Sequence, residues 1–346
     1  VERSRGLGDV YKRQLYGLVT RFWKHAFTFG FNYAYLEFIT VVDRKLSLVL
    51  HKDLSRGLLK KKEQYIYTWI HSFFADTIAD YQVMDADLKS MSNHAEPIWV
   101  CWLQGEEKAP SLVKEMLQRL RVNAGGHPVI VVTRDNWREY CVLPEVFWEK
   151  YERGLMPQQQ FADILRVALL AQAGGLWVDG TMLTLETIPD IVFSLPTFSI
   201  KNINSNYFGS QLVTCSDQWQ CYFIAAHPGS VTYSFILTCF EKYWTKYDTL
   251  IDYFLISYLA KVAREEIPGA KAEYKLVPDN NVQCELLNDF LCKGLPLKDS
   301  DVQRFLHSDT WLYKLTWKKP YPLKTKNGEQ TLAGYILRPS SSRKNE

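Results

Sequence analysis

The chain has 346 residues, 47% of them hydrophobic, with 41 Lys and Arg against 38 Asp and Glu. This composition can bury one large core or two ordinary ones, and it excludes a disordered chain, a collagen and a coiled coil. Aromatic residues make up 14% of the chain. Such a content suits a protein that binds flat or ring-shaped ligands, although an aromatic-rich core is the simpler interpretation.

Basic residues are concentrated near the N-terminus. Residues 15–62 contain nine Lys and Arg against three Asp and Glu, whereas the chain beyond residue 62 is net acidic. Aromatic side chains are interleaved with these charges, which fits contact with an anionic membrane surface or, equally, an ordinary solvated helical face. No apolar run reaches the ~18 residues that span a bilayer. No basic-aromatic nucleic-acid motif is present, so we expect no nucleic-acid partner.

The cysteines indicate a reducing compartment. There are seven, with no CxxC pair and no Cys/His cluster at zinc spacing, so they are expected to be reduced thiols, several of them in the core. The N-terminal residues do not have the pattern of a secretory signal peptide. We therefore predict a cytoplasmic protein that is at most peripheral on the inner face of the cell membrane.

The chain is expected to divide into four segments. Residues 9–14 (DVYKRQ) match one reading frame of the transposon mosaic-end adapter used in sequencing libraries, so the first segment is expected to be non-native and is excluded from fold reasoning. The segments are residues 1–14, adapter-derived; 15–90, helical, basic and aromatic; 91–335, the main domain; and 336–346, a polar tail.

Two apolar runs separated by a helical pattern open the main domain. Residues 98–103 and 129–132 have the composition of strands buried on both faces, and residues 110–123 between them have helical spacing. A strand, a helix and a strand in this order predict a parallel sheet. Before this unit, apolar residues at helical spacing over 65–81 predict a helix.

A third predicted helix carries two charged residues on one face. This helix begins at Pro157, and Asp163 and Arg166 lie three positions apart in it. Their side chains can converge on one ligand, or they can form an exposed ion pair worth only ~0.3 kcal/mol. Further along, residues 222–226 predict another strand and residues 231–264 a helical region.

The helix that begins at Pro157 leads into a strand that ends at an aspartate. Gly174 and Gly175 end the helix and permit an abrupt turn, and the strand 176–178 then delivers Asp179. In open α/β sheets, ligands bind at the carboxyl ends of the strands. Gln104, Thr133 and Asp179 are all expected at that edge.

Together these residues form an ordered motif, D-x-x-R…L…GG-x-W-x-D-x-T, over residues 163–181. It resembles the sugar-nucleotide signature of retaining GT-A glycosyltransferases, D-x-x-R…L…GG-x-Y/W-x-D-x-D, which DxD-motif α-mannosyltransferases share. The closer match is the bacterial capsular polysaccharide synthesis protein family. Two further blocks of this sequence resemble that family: Trp99 to Gly105 with Pro110, and Thr133 to Asn136 with Tyr140, Leu143 and Pro144.

The resemblance implies an α/β fold: a GT-A (Rossmann-like) nucleotide-sugar-binding domain with a helical N-terminal segment and helical C-terminal additions. It implies a glycosyltransferase that moves a hexose from a nucleotide-diphosphate sugar, with a UDP-sugar favoured. The implied acceptor is a capsular or surface polysaccharide, an oligosaccharide or a lipid-linked sugar. Retention of configuration at the anomeric carbon is implied by the resemblance only.

The candidate site residues suit such a donor. The Asp179 carboxylate can accept hydrogen bonds from sugar hydroxyls and can hold a divalent cation that offsets the charge of the leaving diphosphate. Arg166 offers a fork of donors for phosphate or sugar oxygens, and Asp163 can accept from sugar hydroxyls. The predicted catalytic residues are Asp179, Arg166 and Asp252. The predicted donor-binding residues are Trp102, Gln104, Thr133, Asn136, Asp163, Arg166, Gly174, Gly175, Thr181 and Lys314.

One departure from the motif concerns metal binding. Thr181 stands where many relatives carry a second Asp, so a bidentate carboxylate is absent. The predicted cofactor is a divalent cation, Mn²⁺ or Mg²⁺, with Asp179 as its protein ligand. We expect it to be held loosely, with the diphosphate and water completing its coordination.

Alternatives remain open for several residues and for the whole chain. Trp102 can belong to the core, Asp252 can lie near a helix start, and His227 is expected to be a turn residue. Gly174 and Gly175 form a structural turn on either interpretation. The chain can instead be a sugar-nucleotide-binding protein with little transferase activity, or a membrane-surface scaffold whose function lies in the N-terminal segment.

Overall fold

The computed structural model describes residues 2–50, 56–89, 96–204 and 218–337. Cys215 and the expected polar tail from residue 338 onward lie outside these ranges. The helices are α1 (Glu2–Phe29), α2 (Phe31–Leu50), α3 (Arg56–Phe73), α4 (Ala75–Gln82), α5 (Ser111–Val122), α6 (Glu145–Glu152), α7 (Gln158–Gln172), α8 (Ile191–Ser194), α9 (Val231–Lys246), α10 (Leu255–Glu266), α11 (Pro268–Lys275), α12 (Leu286–Cys292), α13 (Asp299–Leu306) and α14 (Leu332–Ile336). The strands are β1 (Ile98–Cys101), β2 (Val129–Val132), β3 (Gly175–Val178), β4 (Met182–Thr184), β5 (Thr197–Ser199), β6 (Phe223–Ala226) and β7 (Leu312–Lys314).

The fold is mixed α/β, with a five-stranded sheet in the order β2-β1-β3-β6-β5. The first three of these strands run parallel, and β6 and β5 are antiparallel to their neighbours. The predicted βαβ unit is therefore confirmed as β1-α5-β2. The parallel strands end at one edge of the sheet, and the residues that follow β1, β2 and β3 meet there.

The sheet separates two hydrophobic cores. Along β1 and β3 the side chains alternate, so Trp99 and Trp177 join the core with α7 and α9, whereas Val100 and Leu176 join the core with α5 and α8. Burial on both faces explains why these strands are uninterrupted apolar runs in the sequence. A third core joins a small antiparallel sheet, β4-β7, to α12, α13 and α14.

The turn between α7 and β3 requires both of its glycines. Gly174 and Gly175 have φ values of +71° and +93°. A Cβ on Gly175 would lie 2.3 Å from the Pro97 carbonyl oxygen, and one on Gly174 would lie 2.6 Å from a ring carbon of Pro228. Any larger residue is excluded by both backbone conformation and space.

Two expectations about elements need revision, and one sheet has no counterpart among the predicted elements. The first strand ends at Cys101 rather than at residue 103, because Trp102 begins a turn that Gly105 closes with φ of +86°. The helical region 231–264 is interrupted over 247–254. There the Tyr243 hydroxyl donates a hydrogen bond to the Thr249 carbonyl and accepts one from the Ile251 amide. The β4-β7 sheet was not anticipated.

The N-terminal helices pack against helices of the main domain. Helix α2 packs between α1 and α3, and α3 packs against α4 and α10. None of the helices in the described part of the chain combines the length and the apolar character that crossing a lipid bilayer requires.

Candidate active site

Asp179 is the centre of a charged cluster at the carboxyl end of β3. Its Oδ1 accepts hydrogen bonds from Arg166 Nη2 at 3.2 Å and from Trp177 Nε1 at 3.0 Å. Its Oδ2 accepts from Lys314 Nζ at 2.6 Å. The side chains of Asp179 and Lys314 are 27% and 26% exposed, so solvent or a ligand can reach this ion pair.

Arg166 lies behind Asp179 rather than in the open site. It donates from Nη1 to Asp163 Oδ1 at 2.7 Å, stacks on the Trp177 ring at 4.8 Å, and is only 6% exposed. The expected fork of donors to phosphate or sugar is therefore not available, because both terminal nitrogens are engaged by carboxylates. The pair with Asp163 is likewise buried, not an exposed helical ion pair. Arg166 orients the two carboxylates.

The two carboxyl groups of this cluster differ in acidity. Burial raises the pKa of Asp163 to about 6, although the Arg166 charge opposes this effect. Burial also disfavours ionisation of Asp179, but Lys314 and Arg166 outweigh it and hold the pKa of the Asp179 carboxyl below its usual range. Asp179 is therefore ionised under all physiological conditions, whereas Asp163 can take up a proton in mild acid.

Lys314 reaches the site through the small sheet. Strand β7 pairs antiparallel with β4, which begins three residues after Asp179, in a register that sets Lys314 opposite Met182. The Leu315 amide also donates to the Thr181 carbonyl at 3.0 Å. These bonds fix the end of β7 to the motif loop, so Lys314 lies beside Asp179 although 135 residues separate them.

Aromatic side chains border the cluster, and two of them were not predicted. Trp102, half-buried after β1, is within van der Waals reach of Gly180 and makes an edge contact with the half-exposed Trp317, at 6.3 Å between ring centroids. Tyr253 contacts Gln159, and its pKa is raised by burial and by the nearby Asp163 and Asp179 carboxylates. Trp317 follows Lys314 by three residues, so its proximity could have been inferred from Lys314. Nothing in the sequence distinguishes Tyr253.

Gln104 lies at the rim of the same edge. It is exposed and donates from Nε2 to Gln158 Oε1 at 3.2 Å, at the start of α7. Thr181 is buried, so little of it is available to a ligand.

The side chains of Thr133 and Asn136 are committed to the turn that follows β2. Asn136 Oδ1 accepts from the Thr133 amide at 2.7 Å, and its Nδ2 donates to the Val131 carbonyl at 3.1 Å. Thr133 Oγ1 in turn accepts from the amides of Asp135 and Asn136. Their predicted role in donor binding gains no support from this geometry, because both ends of the Asn136 amide already have partners in its own turn.

Asp252 does not join the cluster. Its carboxylate is 2% exposed, pairs with Lys62 of α3 at 2.6 Å and accepts from the Phe254 amide at 2.8 Å. The group is buried against the N-terminal helices, so this geometry gives no support to its predicted catalytic role, which stays a prediction. The alternative of a residue near a helix start describes it correctly, since α10 begins at Leu255.

The two glycines also lie away from the cluster. They form the start of β3 whereas Asp179 follows its end, about 13 Å along the strand. Their predicted donor contact is therefore not supported, and the turn is their role. His227, buried with Nε2 3.0 Å from the Phe193 carbonyl, lies in the turn before α9, as expected.

The side chains around Asp179 do not form a complete metal centre. Across the described ranges, no three His, Cys, Asp or Glu side chains cluster as metal ligands. The Lys314 ammonium holds Oδ2, and Thr181 offers at most a neutral oxygen. Of the two carboxylates that Arg166 pairs with, Asp179 is the accessible one, at 27% exposure, whereas Asp163 is buried.

The fold and this cluster define a mixed α/β protein with an ionic site at the carboxyl ends of parallel strands. The chain belongs to the capsular polysaccharide synthesis protein family, whose model matches residues 46–336. Curated proteins provide no match. Among solved structures, the chain is similar to the PaToxG glycosyltransferase, with 13% identity, a TM-score of 0.30, and coverage of 64% of this chain and 84% of that one.

Proposed function

We propose that this protein is a glycosyltransferase of GT-A type that transfers a hexose, with retention, from a nucleotide-diphosphate sugar to a polysaccharide or lipid-linked acceptor. The observation that carries the proposal is the accessible Lys314–Asp179 pair at the carboxyl edge of the parallel strands. Such an edge is where α/β proteins bind nucleotides. The family match over residues 46–336 supports the same class of reaction.

The two accessible groups have complementary tasks toward such a donor. The Lys314 ammonium can offset the negative charge that develops on the leaving diphosphate, and Asp179 can accept from sugar hydroxyls. Arg166 keeps Asp179 ionised and oriented from behind, with Asp163 as its second partner. Trp102 and Trp317 present indole rings on which a uracil base can stack.

The experiment that tests this proposal is calorimetric titration of uridine diphosphate, together with hydrolysis assays over a panel of nucleotide sugars. Lys314→Met should weaken diphosphate binding about tenfold or more, because a partly buried cation–phosphate contact is lost. Lys298→Met, a change at an exposed lysine before α13, is the matched control. Binding without turnover would favour the alternative of a sugar-nucleotide-binding protein. Unchanged binding in Lys314→Met would contradict the proposed role.

A divalent cation remains a prediction, and Thr181 tests it. If Mn²⁺ or Mg²⁺ lies between Asp179 and the diphosphate, Thr181→Asp adds a carboxylate and should lower the Mn²⁺ concentration needed for half-maximal donor binding, whereas Thr181→Val should not. If Lys314 alone offsets the diphosphate, the added carboxylate repels the phosphates. Donor affinity in Thr181→Asp then falls with Mn²⁺ and with chelator alike.

We further propose that transfer takes place at an anionic membrane surface, where a lipid-linked acceptor would be available. The support is the surplus of basic residues over 15–62, set against a net acidic remainder.

A further inference from the structure

Over residues 16–29, helix α1 exposes several aromatic side chains to solvent. Tyr16, Trp23 and Phe27 recur at helical spacing and are 76%, 51% and 85% exposed. The rings of Trp23 and Phe27 stack with their centroids 6.0 Å apart. A solvated helix normally turns its polar residues outward, so this face has the composition of a buried one.

Helix α2 continues the same surface. Phe31 and Tyr35 are each more than half exposed, and Leu46 and Leu50 follow along the same helix with about half of their surface exposed. A ring contact joins the two helices, because the ring centroids of Phe22 on α1 and Phe31 on α2 lie 5.5 Å apart. On α1, the centroids of Phe22 and Trp23 lie 5.4 Å apart. We call this surface the aromatic face; it comprises Tyr16, Trp23, Phe27, Phe31, Tyr35, Leu46 and Leu50.

The opposite side of the hairpin already packs against the protein. His25, Phe29 and Tyr33 are buried there, and the Tyr33 hydroxyl bonds the Ile251 carbonyl. Glu37 is also buried, between His25 and Arg21. The aromatic face is therefore not needed to hold the hairpin to the main domain.

The charges around this face have one sign. Over residues 16–50 and 57–62, the exposed side chains that carry a charge at neutral pH are all cationic among those that the structure describes: Arg21, Lys24, Lys45, Lys60 and Lys61. The acidic residues in these ranges, Glu37 and Asp43, are buried or half-buried. Aromatic side chains bordered by exposed cations match an anionic bilayer, with rings at the headgroup level and lysines toward the phosphates.

We propose that the α1–α2 hairpin docks in the plane of an anionic bilayer through the aromatic face. A second copy of the chain is a poorer occupant, because a symmetric dimer through this face would bring its exposed cations together. Docking would also fix the entrance of the site. The inner side of the N-terminal helices holds the loop 249–254 through Tyr33 and Lys62, and that loop carries Tyr253 to the charged cluster.

The statement that docking fixes the entrance of the active site rests on the proposed function. The docking of the aromatic face on a bilayer does not. The test is therefore co-sedimentation of the full chain with vesicles, with donor hydrolysis measured separately in the absence of vesicles. We expect strong partition into vesicles of phosphatidylcholine with one part in four of phosphatidylglycerol. Trp23→Ser with Phe27→Ser should reduce partition about tenfold or more, since two exposed rings no longer enter the interface.

A matched control removes exposed apolar groups elsewhere. Val122→Ser with Val142→Ser changes two residues that are as exposed as Phe27 but lie on the main domain, and it should leave partition unchanged. Equal loss in both double variants would overturn the proposal. Hydrolysis without vesicles should be the same in both, so a failure of docking is distinguishable from a failure of transfer.

The charge component has its own control. Lys24→Gln with Lys45→Gln should weaken partition and its salt dependence, whereas Lys298→Gln with Lys326→Gln should not. Equal binding to pure phosphatidylcholine vesicles would contradict the electrostatic part. A concentration-dependent dimer in analytical ultracentrifugation that Trp23→Ser and Phe27→Ser abolish, without vesicle binding, would assign the face to a second copy.

Discussion

Two aspartates in this molecule each pair with a lysine at 2.6 Å, and the two pairs differ in how far solvent can reach them. Asp179 and Lys314 are each about one quarter exposed, whereas Asp252 is 2% exposed and its partner Lys62 is 13% exposed. The Asp179 pair lies where parallel strands end. The Asp252 pair lies between the N-terminal helices and the loop before α10.

The difference between the pairs lies in what surrounds them. Asp179 has a second cation, Arg166, behind it, so Lys314 can turn toward a phosphate without leaving the carboxylate unpaired. Lys62 is the cation that balances Asp252, so moving it would leave a buried carboxylate with only the Phe254 amide. We call the Asp179–Lys314 pair a backed pair, because Arg166 also bonds the same carboxylate. In such a pair the lysine can exchange the carboxylate for a phosphate, whereas the role of the Asp252–Lys62 pair is to stabilise the fold.

Asp179→Asn should produce the largest effect on activity. The amide keeps the size of the side chain but removes the charge that Lys314 and Arg166 share, so donor turnover should fall at least about a hundredfold. Thermal unfolding should change little, because Asp179 and Lys314 are each about one quarter exposed and Arg166 keeps its pair with Asp163. Asp252→Asn is the matched control and should keep most of the turnover. Wild-type turnover in purified Asp179→Asn would remove this residue from the mechanism.

Lys62→Met should produce the largest effect on stability. It leaves the Asp252 carboxylate buried without its cation, which we expect to cost about 3 kcal/mol and to lower the unfolding midpoint by roughly 5 to 10 °C. Scanning calorimetry measures the unfolding midpoint. Lys314→Met should lower this midpoint less than Lys62→Met, because the Asp179–Lys314 pair is more exposed and Arg166 still balances Asp179. An equal loss in the two variants would remove the distinction between the pairs.

The acidity of Asp163 gives the backed pair a pH dependence. Above pH 6 the carboxylates of Asp163 and Asp179 balance Arg166 and Lys314. The pKa of Asp163 is raised to about 6, so below that pH the group is neutral and the cluster gains one positive charge. Affinity for a nucleotide sugar should therefore rise as pH falls through 6, by about three- to tenfold.

Nucleotide sugars are the correct probe for this measurement, because their phosphates do not titrate near pH 6 whereas a terminal phosphate does. Titration calorimetry from pH 5 to 8 gives the profile, and Asp163→Asn should flatten it by removing the titrating group. A profile that persists unchanged in Asp163→Asn would assign the pH dependence to another residue.

The parts of the fold that local pattern determines were predictable from the sequence. The strands β1 and β3 are apolar runs because both of their faces are buried, and the helices α5 and α7 begin after proline. Strand β2 is equally apolar, but it is an edge strand whose first three residues are only half-buried, so the expectation of burial on both faces does not hold for it. The motif over 163–181 brings Asp163, Arg166 and Asp179 together because helix, turn and strand are consecutive. The proximity of these three residues in the site could therefore be predicted from their proximity in the sequence.

Two features of the site depend on contacts that local pattern does not encode. Lys314 meets Asp179 through two strands of three residues each, which are too short to give a periodic signal. Burial is the second feature, because the sequence does not show that the side chains of Arg166 and Asp252 are shielded from a ligand. Arg166 lies behind Asp179, and Asp252 lies against Lys62.

The smallest expected effect concerns the turn after β2. Asn136→Ala removes the acceptor of the Thr133 amide and the donor to the Val131 carbonyl, which should cost about 1 kcal/mol of stability. Donor affinity should not change, because the Asn136 side chain is committed to its own turn. Trp102→Ala should instead weaken nucleotide binding about tenfold, since a base loses its stacking surface. Calorimetric titration of uridine diphosphate into both variants compares them directly, and a loss of affinity in Asn136→Ala that matches Trp102→Ala would support Asn136 as a donor-binding residue.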